Sequence, residues 1–291
     1  MKSKLSLNKS LSLTFGKDVY DLTCDQEANE AAQFIRKGIL FKAELEAAAR
    51  DWGACSVSVK EKLIAIGVPV PKKFTSKQAF ALDTGAFLDA LICPFYREIN
   101  HKPTLSDTPL INISADLVIG ASWQTYSPMN FLQAKTLFQS LDSQTVNPDL
   151  QGSTEYAYGD WYSPFPVIKA GEGKNRVSLA SQHCIAYLTR AHQYEFAPAY
   201  TLSLHKVMFS DYWVLKCSDS KYWPGETLPA FALTRNKTII ALPKITLELL
   251  RLYGVQEGRR TFQFGIYRKF RRCMLAWLTN TTGGATSSPW R

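Results

Sequence analysis

The residues best suited to chemistry stand side by side: Glu172, Gly173, Lys174, Asn175 and Arg176, within SPFPVIKAGEGKNRVSLASQH at 163–183. Phe165, Val167 and Ile168 predict a strand. Gly171 and Gly173 bracketing Glu172 predict a turn, and Lys174 to His183 a helix. A strand-to-helix corner leaves backbone N–H groups unpaired at the positive end of the helix dipole, an arrangement that suits a phosphate. In that reading Arg176 grips the phosphate bidentately and Lys174 adds a point charge. Gly173 lets the backbone approach, and Asn175 orders a water or a sugar hydroxyl. Glu172 is placed to act as a base or to hold Mg²⁺ against the phosphate, with Glu155 and Asp160 of the preceding loop behind it. The same glycine turn also occurs without a ligand, and Glu172 is then an exposed turn acid. His183 falls about two helical turns beyond Arg176 and reads as structural. His183, His192 and His205 share no metal-ligand spacing, so no metal ligand set is assigned.

A second group of candidates lies near the C-terminus, where GIYRKFRRCMLAWL predicts an amphipathic helix carrying Arg268, Lys269, Arg271 and Arg272 beside an apolar stripe. These four suit DNA phosphates, although a basic helix also suits an acidic protein or a membrane surface. Trp213, Tyr222 and Trp223, interleaved with Lys216 and Lys221, offer rings on which bases stack; at strand spacing the same rings serve as core.

The charge distribution supports an acidic partner for this half. The chain of 291 residues has a formal net charge of +9. Residues 1–150 hold 16 Lys plus Arg against 16 Asp plus Glu, and residues 151–291 hold 18 against 9. DNA is the expected partner, and a basic face that only aids solubility is the competing reading. At 46% hydrophobic the chain has material for a large core. The absence of a long apolar run predicts no membrane span, and the broken N-terminal segment reads as no signal peptide, so the expected location is the cytoplasm. Six widely spaced cysteines argue against a zinc ribbon, a dithiol motif or a disulfide scaffold.

The elements that must position these residues fall into three stretches. In 1–103 a helix capped by Asp25 is predicted to stop at Gly38, followed by a second helix in FKAELEAAARDWG and more in SVKEKLIAIG and SKQAFALDTGAFLDALICPFYREI. This helical module has no catalytic motif and reads as a packing or partner-docking module, with a DNA-reading helix pair as the alternative. In 104–210, TPLINISADLVIGAS predicts a strand and SPMNFLQAKTLFQSLDSQ a helix capped by Ser127 with Pro128 in its first turn. A loop from Asn147 to Tyr162 follows, then the corner described above and a strand in AYTLSLHKVMF. In 211–291, aromatic and β-branched residues predict sheet, with a hairpin turn at Asn236-Lys237. A helix follows in PKITLELLRLYG, entered at Pro243 and ended by Gly254, and then the basic helix.

The segment from Pro109 to His205 resembles the ParB/sulfiredoxin-like superfamily on its order of elements. It carries a G-x-x-R turn at Gly173-Lys174-Asn175-Arg176, an acid before it at Glu172, and Pro166-Val167-Ile168 leading in. The resemblance implies an α+β fold with a ParB/sulfiredoxin-like mixed-sheet core, here between an N-terminal helical module and a C-terminal extension of strands and helices. It implies a nucleotide such as ATP or CTP at the corner, Mg²⁺ if hydrolysis occurs, and action on DNA as a nucleoside triphosphatase or DNase, in a plasmid or other mobile-element setting. Sulfiredoxins place a cysteine inside the turn; Lys174 and Asn175 stand there, which speaks against that activity. The alternative is a non-catalytic interaction or regulatory protein that uses the fold as a scaffold.

Overall fold

In a computed structural model, the structure describes residues 19–22, 26–50, 84–99, 108–120, 130–146, 158–172, 183–263 and 265–279. The fold is α+β with two mixed sheets. The chain divides into two compact units, one comprising Leu5–Ile39 and Arg97–Phe196, the other Met1–Lys4, Leu40–Tyr96 and Ala197–Arg291.

The first unit is organised by a long strand that the local sequence pattern does not reveal, β7 (Ala186–Phe196). It pairs antiparallel with β3 (Leu110–Ser114) and parallel with β5 (Tyr158–Ser163). Beyond β3 lies β1 (Val19–Asp21); beyond β5 lie β6 (Ile168–Glu172) and β4 (Val118–Ile119), while β2 (Tyr96–Glu98) also pairs with β7. Arg190, His192, Gln193 and Glu195 disguise β7 as surface, although Tyr187 to Ala191 are buried on both faces of the strand and Arg190 with them. The same pattern hides β5, which occupies Tyr158–Ser163 where a loop to Tyr162 is expected. Gly159 and Trp161 face the core side while Tyr158, Asp160 and Tyr162 take the other.

The turn also moves. Residues 164–167 form the β5–β6 connection, with the Phe165 amide donating to Tyr162 O at 2.9 Å and the Trp161 indole donating to Phe165 O at 3.1 Å. The strand expected from Phe165 therefore begins at Ile168 and runs through Gly171 to Glu172. Gly171 sits at a register shift opposite Tyr158, and a Cβ there would lie 3.0 Å from that ring, which explains why glycine occupies a strand position.

Helices cover the apolar side. Helix α1 (Gln26–Arg50) continues through Gly38, which is buried inside it. One interior glycine costs about 1 kcal/mol relative to alanine, too little to stop a helix whose Ala31, Ala32, Ile35 and Phe41 are buried on either side. Asp25 lies outside the described residues. Helix α3 (Phe131–Val146), numbered after α2 (Thr84–Ile92), is capped by Asn130; Ser127 and Pro128, the expected start, lie outside the described residues. Asn130 Oδ1 accepts from the Gln133 amide at 2.9 Å and Gln133 Oε1 accepts from the Asn130 amide at 3.1 Å, a reciprocal capping box. Phe138 of α3 stacks on Tyr187 of β7 at 4.6 Å.

In the second unit α2 ends at Ile92, short of the expected reach to Ile99, because Cys93 takes a φ of 69° and precedes Pro94. Helix α4 (Pro243–Tyr253) packs on α2, and its buried Thr246 hydroxyl donates to Leu91 O at 2.8 Å. Gly254, with φ 98°, closes α4 as expected. The second sheet runs β10 (Ala232–Thr234), β11 (Lys237–Ile239), β9 (Trp213–Cys217), β8 (Leu202–Lys206) and β12 (Gln256–Glu257). Helix α5 (Ile266–Thr279) follows, with Ile266, Phe270, Cys273 and Met274 buried. Among the described residues no helix is long and apolar enough to cross a membrane.

Candidate functional site

The structure places two chemically distinct surfaces near the residues singled out above. Glu172 is the last residue of β6, its backbone paired with Tyr158. Gly173, Lys174, Asn175 and Arg176 lie outside the described residues, as does Glu155. What the structure does describe is the sheet face leading up to them. Asp160 of β5 stands opposite Lys169 of β6 and His192 of β7 in register, so the three side chains share one face.

On that face the Lys169 ammonium lies 2.8 Å from the Asp160 carboxylate, and both are mostly buried. Tyr158 meets the His192 ring edge-on at 5.1 Å, and Tyr162 stacks on Tyr194 at 5.0 Å. Burial, followed by the Asp160 and Glu98 carboxylates, pushes the Tyr194 hydroxyl up to about 12, so it holds its proton at neutral pH. His192 Nδ1 is buried and has no hydrogen-bond partner among the described residues. The histidine that lacked partners in sequence thus joins a carboxylate, an amine and three phenols by strand register. Nothing local in the sequence signals this grouping; it needed β5 and β7 to be recognised as neighbours. Among the described residues no group of three or more His, Cys, Asp and Glu side chains is arranged to hold a metal ion.

His183 packs edge-on against Phe131 at 6.0 Å, in keeping with a structural role. Cys184, the cysteine nearest the G-x-x-R tetrapeptide, is exposed with φ 52°. Its thiol is pushed up by burial of the sulfur and then by the neighbouring Asp116 carboxylate, which is itself ion-paired with Arg36. A thiol held protonated in this way is a poor nucleophile at neutral pH.

The second surface is basic. Arg268, Lys269, Arg271 and Arg272 are all exposed on α5, opposite its buried stripe. They extend a longer run: residues 258–279 contain Arg259, Arg260 and these four, with no Asp or Glu. Among the described residues none of the six has a salt-bridge partner, whereas Arg251 nearby is held by Glu248 at 2.6 Å and Glu257 at 2.8 Å. Arg268 and Lys269 stand in the first turn of α5 with no acid beside them. Each cation there opposes the helix dipole by about 0.3–1 kcal/mol, a cost that a bound anion offsets.

The loop before α5 is fixed to the sheet. Met208 N donates to Thr261 O at 2.9 Å and Thr261 N to Lys206 O at 3.0 Å. His205 Nδ1 donates to Arg259 O at 2.8 Å; a carbonyl can only accept, so this nitrogen carries the proton, and His205 Nε2 accepts from the Ser203 hydroxyl at 2.8 Å. A Cβ on Gly258 would fall 2.5 Å from the His205 ring, so that packing requires glycine. The chain between β8 and β9 turns back where Val207 N donates to Tyr212 O at 2.9 Å, and Tyr212 packs on Phe270 of α5 at 5.1 Å. At the tip Phe209 is 92% exposed with φ 58°, a left-handed conformation that costs a bulky residue about 1–2 kcal/mol.

Of the two roles open to Trp213, Tyr222 and Trp223, the structure shows the packed one. Tyr222 is buried, the Trp223 indole donates to Cys217 O at 3.1 Å, and the Arg251 guanidinium covers Trp213 at 5.7 Å. They stabilise the second sheet, which is the role strand spacing also allowed.

No protein-family model, curated protein or solved structure matches the chain.

Proposed function

We propose that this protein binds nucleic acid through the basic surface of α5 and the loop before it, and acts on DNA in the cytoplasm with a ParB/sulfiredoxin-like nucleotide- or phosphodiester-binding core. The observation that carries the reading is the run 258–279, with six cations, no acid, and no salt-bridge partner among the described residues. Nothing in that run neutralises the positive field, and a phosphate backbone is the polyanion that gains most from it through counterion release. Five of the six cations are arginines, whose planar fork suits phosphate oxygens.

In the core, Arg176, Lys174, Asn175 and Gly173 would hold the phosphates of ATP or CTP. Glu172 would supply the base for nucleotide hydrolysis or DNA cleavage, or would help hold Mg²⁺, which would supply charge neutralisation at the phosphate. The support is that β6 reaches Glu172, the residue that precedes the tetrapeptide in sequence. A second reading, a non-catalytic scaffold that docks partners through the N-terminal helices, is favoured by one observation: Asp160 and Lys169 already satisfy each other.

The basic surface is tested by fluorescence anisotropy with duplex DNA across a salt series. The native chain should lose affinity steeply as salt rises. Arg268→Ala/Arg271→Ala/Arg272→Ala should weaken binding about a hundredfold near physiological salt and flatten the slope by about 0.9 for each phosphate no longer neutralised. A salt-independent binding constant would sink the reading. Isothermal titration of ATP and CTP with Mg²⁺ against the native chain and Arg176→Ala, with plasmid nicking by Glu172→Gln, separates the catalytic core from the scaffold.

A further inference from the structure

We infer that the basic surface engages single-stranded nucleic acid, with Phe209, Phe262 and Tyr267 as the platform on which unpaired bases stack; this deepens the phosphate-binding reading above and rests on it. The three rings are 92%, 56% and 53% exposed, in a unit whose other described aromatic side chains, Tyr200 apart, are buried or half-buried. They belong to one local structure. Met208, next to Phe209, is hydrogen-bonded to Thr261, next to Phe262, and Tyr212 at the base of the Phe209 turn lies against Phe270 and within electrostatic reach of Tyr267. The arginines that bracket these rings in sequence, Arg259, Arg260 and Arg268, are the uncompensated cations of the same surface.

The chemistry of the partner follows from this combination. Cations alone suit any polyanion, and a duplex would satisfy them while keeping its base faces stacked internally. Phe209 and Tyr267, held out in water beside the cations, gain something only from a strand whose bases are free to leave their neighbours. Phe209 is the plainest case, since it pairs near-complete exposure with a left-handed backbone at a turn tip, a combination that packing does not reward. An anionic membrane is the other surface that takes cations with aromatic rings, but the apolar face of α5, the part that would enter a bilayer, is already used: Ile266, Phe270 and Met274 are buried in the protein.

The test uses the full chain with fluorescein-labelled oligothymidylate, a duplex of equal length, and vesicles of phosphatidylcholine with phosphatidylserine. Phe209→Ala and Tyr267→Ala should each weaken oligothymidylate binding about tenfold and leave duplex binding within about twofold, while Phe209→Trp should retain the single-strand affinity. Because Phe209 is a surface residue, its variants should fold normally. Equal losses on single strand and duplex, or none on either, would overturn the stacking platform while leaving the phosphate-binding reading intact. Vesicle binding abolished by Phe209→Ala with oligothymidylate binding unchanged would overturn it in favour of a lipid surface. Should the native chain bind neither oligonucleotide, the parent reading fails first.

Discussion

The first unit and the surface of α5 handle charge in opposite ways. There Lys169 of β6 is held by Asp160, Arg97 of β2 by Glu195 and Arg36 of α1 by Asp116, each cation meeting an acid brought to it by strand or helix packing. On α5 and its leading loop, six cations meet none among the described residues. A cation paired inside a fold is part of that fold's stability and exerts little force at a distance, whereas unpaired surface cations add their fields. The net +9 of the chain is therefore less informative than where the neutralisation stops.

The largest effect should come from detaching the basic surface from its mount. Phe270 is buried against Tyr212 and Phe231, and Phe270→Ala should cost about 3–5 kcal/mol in urea unfolding. A loss under about 1 kcal/mol would mean that α5 is not anchored there. Next, Asp160→Asn exposes the difference between the two regions by adding an uncompensated cation to the sheet. Stability should fall by about 1–2 kcal/mol, while duplex affinity should stay within twofold despite the extra net charge. If affinity rose as much as an α5 cation contributes, position would not matter and the comparison would collapse. Removing the cap with Asn130→Ala should cost about 1 kcal/mol through α3 and leave nucleic-acid binding alone, as differential scanning calorimetry and anisotropy together would show.

The finest distinction is in the tyrosines. Tyr194 in the first unit and Tyr212 in the second are each pushed from 10.0 up to about 12, chiefly by burial, and secondarily by Asp160 for Tyr194 and by Tyr267 for Tyr212. A pKa raised on folding means that the folded state retains a proton that the unfolded chain releases. The stabilising contribution is complete below about pH 10 and disappears as pH rises towards 12. In ultraviolet titration, Asp160→Asn should bring down the Tyr194 midpoint while leaving Tyr212 in place. Joint movement of both midpoints would imply general loosening instead of a local carboxylate.

Elements with a single periodic signal were legible. Pro243 and Gly254 bracket α4, and the alternation of Arg268, Lys269, Arg271 and Arg272 with Ile266, Phe270 and Met274 defines the exposed and buried sides of α5. Strands that carry chemistry were not. β5 and β7 carry Asp160, Arg190, His192 and Glu195 among their apolar residues, so their composition resembles a polar loop until a neighbouring strand is supplied. Gly38 and Gly171 misled because neither ends its element: Gly38 is buried within α1, and Gly171 is glycine because β6 shifts register against Tyr158 there.

What the chain's order of residues settled by itself was the presence of an acid-free cationic helix and the helix-versus-strand character of its clearest segments, because both depend on neighbours a few positions apart. Tertiary structure alone decided which cations are neutralised and which aromatic rings remain in water. Asp160 meets Lys169 and His192 through strand pairing, and Phe209 is left exposed while Tyr222 is buried, because these outcomes depend on partners distant in the chain whose meeting the backbone hydrogen bonds of the sheets enforce.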